Sequence, residues 1–190
     1  YELIADEMKD PELRELVQRI GPVEGMPVVT DPGILSPKDF VAEVIDVRIP
    51  NPFMPDTPQR IATDTSQKVG IRYGETIKSY VEKYGSAERL EAIPLAIAGW
   101  LRYLLGVDDQ GQRFERSADP MLTELSARLF GIELGKPETA AGKLHPILSN
   151  RNIFGIDLYE AGLGEKIEEM FRMELAGAGA VRATLPKYLG

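Results

Sequence analysis

An all-α fold is what this sequence predicts, and three observations carry the prediction. Apolar residues recur at helical spacing, as in Leu90, Ile93, Ile97, Trp100, Leu101 and Leu104, the stripe that a helix presents to a core. Capping residues precede prolines at Asp10-Pro11, Ser36-Pro37, Thr57-Pro58 and Asp119-Pro120, the signature of a helix start. Only residues 153–158 offer a short strand, and the chain shows no internal repeat or low-complexity tract. With 190 residues and 43% hydrophobic content the chain can bury a core, and it reads as one domain, residues 1–190.

The elements follow in order. Residues 1–20 carry Leu3, Ile4, Met8, Leu13, Leu16, Val17 and Ile20 in two short helices, the second capped by Asp10. Residues 21–37 are dense in glycine and proline and read as an ordered connector. Ser36 caps a helix through Phe40, Val44 and Val47 that stops before Pro50, and Asp56 or Thr57 starts another through Lys68. Gly70 and Gly74 are expected to interrupt the chain before a helix over 76–84. Residues 87–105 form the central buried helix, kinked at Pro94, with a turn at 106–111 behind it. Further helices are expected from Asp119 through Leu129, in the later half of 136–150, and over 164–175.

Composition removes several function classes. No cysteine is present, which excludes a disulfide scaffold, a thiolate metal site and a cysteine nucleophile. A net charge of -8 opposes binding to a phosphate backbone, and no apolar run approaches the ~20 residues of a membrane span. Nucleic acid and membrane are therefore not expected partners, and the acidic opening, Glu2 through Glu7, predicts a cytoplasmic protein. The chain opens in mid-pattern at Tyr1, so a further segment is expected before it.

Most chemical motifs resolve into structural ones. Gly177-Ala178-Gly179 has Arg182 where a third glycine of a dinucleotide fingerprint belongs, and reads as a helix terminus. Asp108-Asp109-Gln110-Gly111 lacks calcium-loop spacing and reads as a turn. His145 has no metal or triad partner nearby, and Glu165, Glu168, Glu169 and Glu174 read as a solvated helix face. No cofactor-binding or metal-ligating residue is assigned. One segment stands apart: Arg60 and Lys68, eight residues apart, flank Thr63, Asp64, Thr65, Ser66 and Gln67. On one helix, Arg60, Asp64 and Lys68 share a side. They form either an exposed charge ladder or a clamp for a carboxylate or polyhydroxyl ligand, since the arginine fork suits a carboxylate or diol and lysine supplies a point charge.

At these residues the chain resembles the polyol-specific long-chain dehydrogenases, the family of mannitol 2-dehydrogenase and fructuronate reductase. Arg48-Ile49-Pro50-Asn51-Pro52, Asp56-Thr57, Arg60 and Ser66-Gln67-Lys68 match its Asn-Pro...Asp...Arg...Ser-x-Lys segment. Pro94-Leu95-Ala96, residues 99–103, Asp108-Asp109, Asp119-Pro120, Phe154-Gly155 and Asp157-Leu158 extend the similarity along nearly the whole chain.

The resemblance implies a mostly helical C-terminal domain of the 6-phosphogluconate-dehydrogenase-like type, with an N-terminal Rossmann domain that is absent from this chain. It implies hydride transfer between NAD or NADP and a sugar alcohol or sugar acid, the cofactor being held by that other domain. The family's substrate-contacting arginine and lysine fall on Arg60 and Lys68. Its catalytic lysine and Asn-x-x-His lie N-terminal to the first helix, so no catalytic residue is expected in this chain and an isolated chain is expected inactive. His145 is preceded by Gly142 where asparagine is required and takes no such role. A cation pair suits a hexuronate, although the mannitol enzymes carry the same pair. The alternative from the residues alone is a stand-alone helical binding or interaction domain.

Overall fold

In the computed structural model, which describes residues 2–189, every regular element is a helix; Tyr1 lies outside the described residues. α1 (Ile4–Glu7) and α2 (Pro11–Gln18) open the chain, and the Asp10 carboxylate caps α2 by accepting from Glu12 N and Leu13 N. α2 does not give way to a loop at Gly21-Pro22. It widens into a π-helical turn, Arg19–Gly25, followed by a 3-10 turn, Met26–Val28. A tighter helix would drive the Pro22 ring into the preceding carbonyl, and the wider turn relieves that clash. α3 (Pro37–Glu43), capped by Ser36, ends in a second π turn, Val44–Arg48.

α4 (Pro58–Ile61) and α5 (Thr65–Val69) are short, and α5 passes through a third π turn, Gly70–Gly74, into α6 (Glu75–Tyr84). The expected break at Gly70 and Gly74 does not occur. These glycines serve close packing instead: a Cβ on Gly70 would lie 2.0 Å from Ile153 O, and one on Gly74 2.0 Å from Phe154 O. No side chain larger than hydrogen fits that approach.

The core gathers around α7 (Ala92–Tyr103), where Ile93, Leu95, Ile97, Ala98 and Leu101 are buried. After it come α8 (Leu122–Arg128), a 3-10 turn at Pro137–Ala140, α9 (His145–Leu148), α10 (Arg151–Phe154), α11 (Gly164–Glu174) and α12 (Ala180–Leu189). Ile167, Met170, Phe171 and Leu175 pack against α7, as their spacing predicts. The short strand expected at 153–158 is absent. Asn150 caps α10 by accepting from Asn152 N, and Gly155 ends it at φ 72°, placing Phe154 edge-on to Trp100 with ring centroids 6.0 Å apart. Among the described residues no strand forms; β pairing is limited to isolated bridges, Val107 with Arg113 and Glu133 with Lys136. Nor is any described helix long and apolar enough to cross a membrane.

The start of α7 depends on Glu24, whose side chain is reached from the first π turn. Its carboxylate accepts from Glu91 N (2.6 Å), Ala92 N (2.7 Å) and Ile93 N (2.8 Å). The next residue, Pro94, has no N–H to satisfy, so the opening donors of α7 are fully answered. This also corrects the expected kink: α7 begins at Ala92, which puts Pro94 in the first turn, where its ring meets no preceding helical carbonyl.

One member of the carboxylate run is not solvated. Glu174 is 1% exposed at the end of α11, against α7 at Gly99, and its Oε2 has no hydrogen-bond partner. Burial pushes its carboxyl up from the usual 4.5 to about 8, opposed by the positive charge of nearby Arg102. Arg102, itself 3% exposed, spends its terminal nitrogens on Val107 O and Asp108 O rather than on Glu174.

Two stability outcomes follow. Glu24→Ala orphans three N–H groups, two of them in buried residues, and is expected to cost about 2 to 4 kcal/mol in urea unfolding. For Glu174, the folded state retains a proton that the unfolded chain releases between 4.5 and about 8, so stability declines as pH rises through that window. Glu174→Gln should flatten this decline and be more stable than the parent above about pH 8. Equal slopes of stability against pH for the two proteins would contradict the assignment.

Candidate functional site

Arg60 and Lys68 do not share a helix. Thr57 caps α4 by accepting from Arg60 N at 3.2 Å, but α4 ends at Ile61 and the chain turns at Asp64, whose φ of 55° is left-handed. The expected ladder of Arg60, Asp64 and Lys68 is therefore not formed. The reason is tertiary: Asp64 N donates to Ala118 O at 2.9 Å, which draws the backbone out of helical register.

The turn nevertheless lets Lys68 reach back to α4. Lys68 folds back so that its Nζ donates to Ile61 O at 3.0 Å, beside Arg60. Arg60 pairs with Asp56, not Asp64: its Nε donates to Asp56 Oδ1 at 2.5 Å and its second nitrogen, NH2, donates to Oδ2. The Arg60 hydrogen bond, with Lys68 contributing, holds the Asp56 carboxyl below the usual carboxylate range, and Asp56 in turn raises the Arg60 guanidinium. Asp56 thus lies within electrostatic reach of both cations. Ile4 N donates to Asp56 O at 2.9 Å, so the start of α1 abuts the same pair.

The segment 117–119 lies alongside and sets the turn. Ser117 Oγ donates to Gln59 O at 2.6 Å, Ala118 O receives Asp64 N, and Asp119 receives Ser66 N (2.7 Å), Ser66 Oγ (2.6 Å) and Thr65 Oγ1 (3.3 Å). Asp119 also accepts from Met121 N at 2.9 Å at the entry to α8. Burial pushes its carboxyl upward, but these hydrogen bonds outweigh burial and leave it below its usual range. Ser66, 2% exposed, is thereby consumed by structure, while Lys68, two residues on and so on nearly the opposite side of α5, stays free to reach Ile61 O.

α4 walls two depressions. One, of ≈ 250 Å³, is lined by Arg48, Asp56, Ile61 and apolar Ile4, Ile49 and Met54. The other, of ≈ 620 Å³, is lined by Gln59, Ala62, Arg102, Tyr103 and Glu7 among others. Around them Val47 (61%), Phe53 (91%) and Met54 (52%) expose apolar surface.

The remaining motifs are engaged in structural contacts. His145 is exposed and stacks on Tyr159 with ring centroids 4.5 Å apart. No group of three or more metal-ligating side chains is assembled among the described residues. Nor does the Gly177-Ala178-Gly179 segment fit the phosphates of a dinucleotide. The helix start after Gly177-Ala178-Gly179 is closed by Asp109, whose carboxylate accepts from Val181 N and Arg182 N and whose carbonyl accepts from Gly179 N. A carboxylate already sits where an anion would bind.

Two residues of the site escaped the sequence reading as functional. Asp56 carries a local signal, an acid four residues before an arginine. Asp119 stands out locally only as a capping residue before Pro120, and nothing near it points to its partners Thr65 and Ser66, 54 and 53 residues away.

Fold and geometry together define an all-helical domain with one cation on each of two short helices joined by a turn. The sequence pattern of the mannitol dehydrogenase C-terminal domain matches residues 1–173, and the chain belongs to that family. It is 54% identical to D-mannonate oxidoreductase of Thermotoga maritima, across 100% of this chain and 35% of that protein. It is 30% identical to mannitol 2-dehydrogenase of Pyricularia oryzae, across 100% of this chain and 35% of that protein. The chain thus spans about a third of the length of these relatives. Its fold is similar to that of Pseudomonas fluorescens mannitol 2-dehydrogenase, solved as a ternary complex with NAD and D-mannitol. That likeness has a TM-score of 0.78 and 20% identity, over 100% of this chain and 36% of the other. A substrate-free D-sorbitol dehydrogenase matches with a TM-score of 0.65 and 22% identity, over 95% and 35%.

Asp119→Ala should unfix the starts of α5 and α8 together and lower stability by about 1 to 2 kcal/mol at neutral pH. Because the folded carboxyl titrates below the ordinary 3.8, its contribution is present above that pH and lost as pH falls through the lowered value. The gap between parent and variant in chemical unfolding should therefore narrow in acid; a gap independent of pH would exclude the ionised carboxylate as its source.

Proposed function

We propose that this chain is the substrate-holding domain of an NAD- or NADP-dependent oxidoreductase that interconverts a sugar alcohol or sugar acid and its keto form, with a hexuronate or aldonate as the preferred class. One observation carries the reading: Arg60 and Lys68, although on separate helices, both act on the Asp56 carboxylate, and Lys68 bonds back to Ile61 O on the helix that carries Arg60. The 54% identity to a D-mannonate oxidoreductase favours an acid substrate. A carboxylate or vicinal diol lying across the two cations receives charge-assisted bonds from both.

In this reading the hydride chemistry belongs to the rest of the protein. An N-terminal Rossmann domain holds the nicotinamide cofactor and docks over the exposed Val47, Phe53 and Met54. The family's catalytic lysine and Asn-x-x-His lie N-terminal to α1, and the contact of Ile4 N with Asp56 O, which sets the start of α1 beside the partner of Arg60, supports that reading. Arg60 and Lys68 bind and orient the chain of hydroxyls; the general base that removes the hydroxyl proton is not among residues 1–190. The protein is assigned to the cytoplasm on the same reading, and residues 1–190 act as a single domain.

Steady-state kinetics of the full-length protein with fructuronate, tagaturonate and fructose test the proposal. Arg60→Ala should lower kcat/KM on the best substrate roughly ten- to a hundredfold, with little change in thermal unfolding. Lys68→Ala should act likewise, and the double variant should lose less than the product of the two. Unchanged kinetics in both single variants would reduce Arg60 and Lys68 to surface charges.

A further inference from the structure

We infer that Asp56 is the positioning residue of the cation pair: it aims the free edge of Arg60 at the ligand and sets how strongly the site prefers an anionic sugar over a neutral one. The inference rests on the reading of Arg60 and Lys68 as ligand-binding groups.

Asp56 is anchored where Arg60 is not. Its side chain is 26% exposed against 73% for Arg60. Thr57 N donates to Asp56 Oδ1 at 2.9 Å, and Ile4 N holds its carbonyl at 2.9 Å. Onto this fixed acid Arg60 docks by its Nε and NH2 edge, the two-pronged geometry that suppresses rotation of a guanidinium. Among the described residues NH1 has no hydrogen-bond partner. An arginine on a short helix would otherwise sweep many rotamers; held from one side, it presents the opposite side in one direction. The arrangement orders the donor before a ligand arrives.

The same carboxylate alters the charge that a ligand meets. Arg60 and Lys68 alone contribute two positive charges, and Asp56 cancels one of them. Lys68 participates, since it also favours the ionised form of Asp56. A site with one net positive charge binds neutral polyhydroxyl chains through directional bonds while still accepting a carboxylate. Without Asp56 the site gains attraction for anions and loses its aimed donor.

Calorimetric titration of the full-length protein with gluconate and sorbitol, an acyclic sugar acid and a neutral counterpart, tests this without requiring turnover. Asp56→Asn should raise the gluconate-to-sorbitol affinity ratio about five- to tenfold at low ionic strength, as expected for removing one charge within several ångströms. Sorbitol affinity itself should fall at least about threefold, as the aimed donor is lost. Asp56→Glu, which keeps the charge, should hold the ratio within about twofold of the parent. In an Arg60→Ala background Asp56→Asn should leave sorbitol affinity unchanged, because its aiming acts through Arg60. General damage to the fold scales both affinities alike and leaves the ratio where it was. An unmoved ratio, a sorbitol loss that persists without Arg60, or a parent protein that binds neither probe would overturn the inference. Binding that follows this pattern in a protein inert toward every sugar substrate would sink the assigned reaction and leave the role of Asp56 standing.

Discussion

The carboxylate of Glu24 answers the N–H groups of Glu91, Ala92 and Ile93 at the mouth of α7, and much of the architecture depends on that contact. A buried helix start leaves polar donors that water cannot reach, and leaving them unpaired is costly. Here a single side chain, 6% exposed, removes the problem and ties the amino-terminal helices to the core helix across 67 to 69 residues of sequence. Pro94 completes the arrangement by contributing no donor. With its start secured, α7 can be apolar on most sides and act as the post around which α11 and α12 pack.

The path from that post to the candidate site is short. Tyr103, the last residue of α7, accepts from Ser117 N through its hydroxyl at 2.7 Å, and Arg116 reaches Leu104 O at 2.7 Å. The loop so held presents Ser117, Ala118 and Asp119 to Gln59, Asp64 and Ser66 in turn. Three successive residues thereby fix a turn that has little apolar burial of its own. A site on short helices can be held in place when its hydrogen bonds run back to the core.

Rigidity of a different kind comes from Gly70 and Gly74. Their backbones touch the carbonyls of Ile153 and Phe154, so the helix that carries Lys68 on its first turns is seated directly against α10. The glycines look like helix breakers in the sequence, and here they let two backbones meet. The π turn between them accommodates the register without ending the helix.

Helical class, the main apolar stripes and the caps at Asp10, Ser36 and Thr57 were legible in the sequence, because each is set by neighbours within a turn or two of chain. Arg60 and Lys68 stood out as candidates through their residue types and the resemblance of their segment to a known family. Their geometry was not legible. The sequence pattern placed them on one helix with Asp64 between, whereas the bond from Asp64 to Ala118 broke that helix and gave Arg60 to Asp56. Likewise the acids of α11 read alike along the chain, and only packing against α7 made Glu174 buried while Glu165 and Glu169 stayed exposed. The sequence by itself determined the local preferences and the chemical types present; tertiary structure decided which helices run on, which acid meets which base and which carboxyl keeps its proton. Those outcomes depend on partners tens of residues away, whose hydrogen bonds and desolvation outweigh the small differences among local helical preferences.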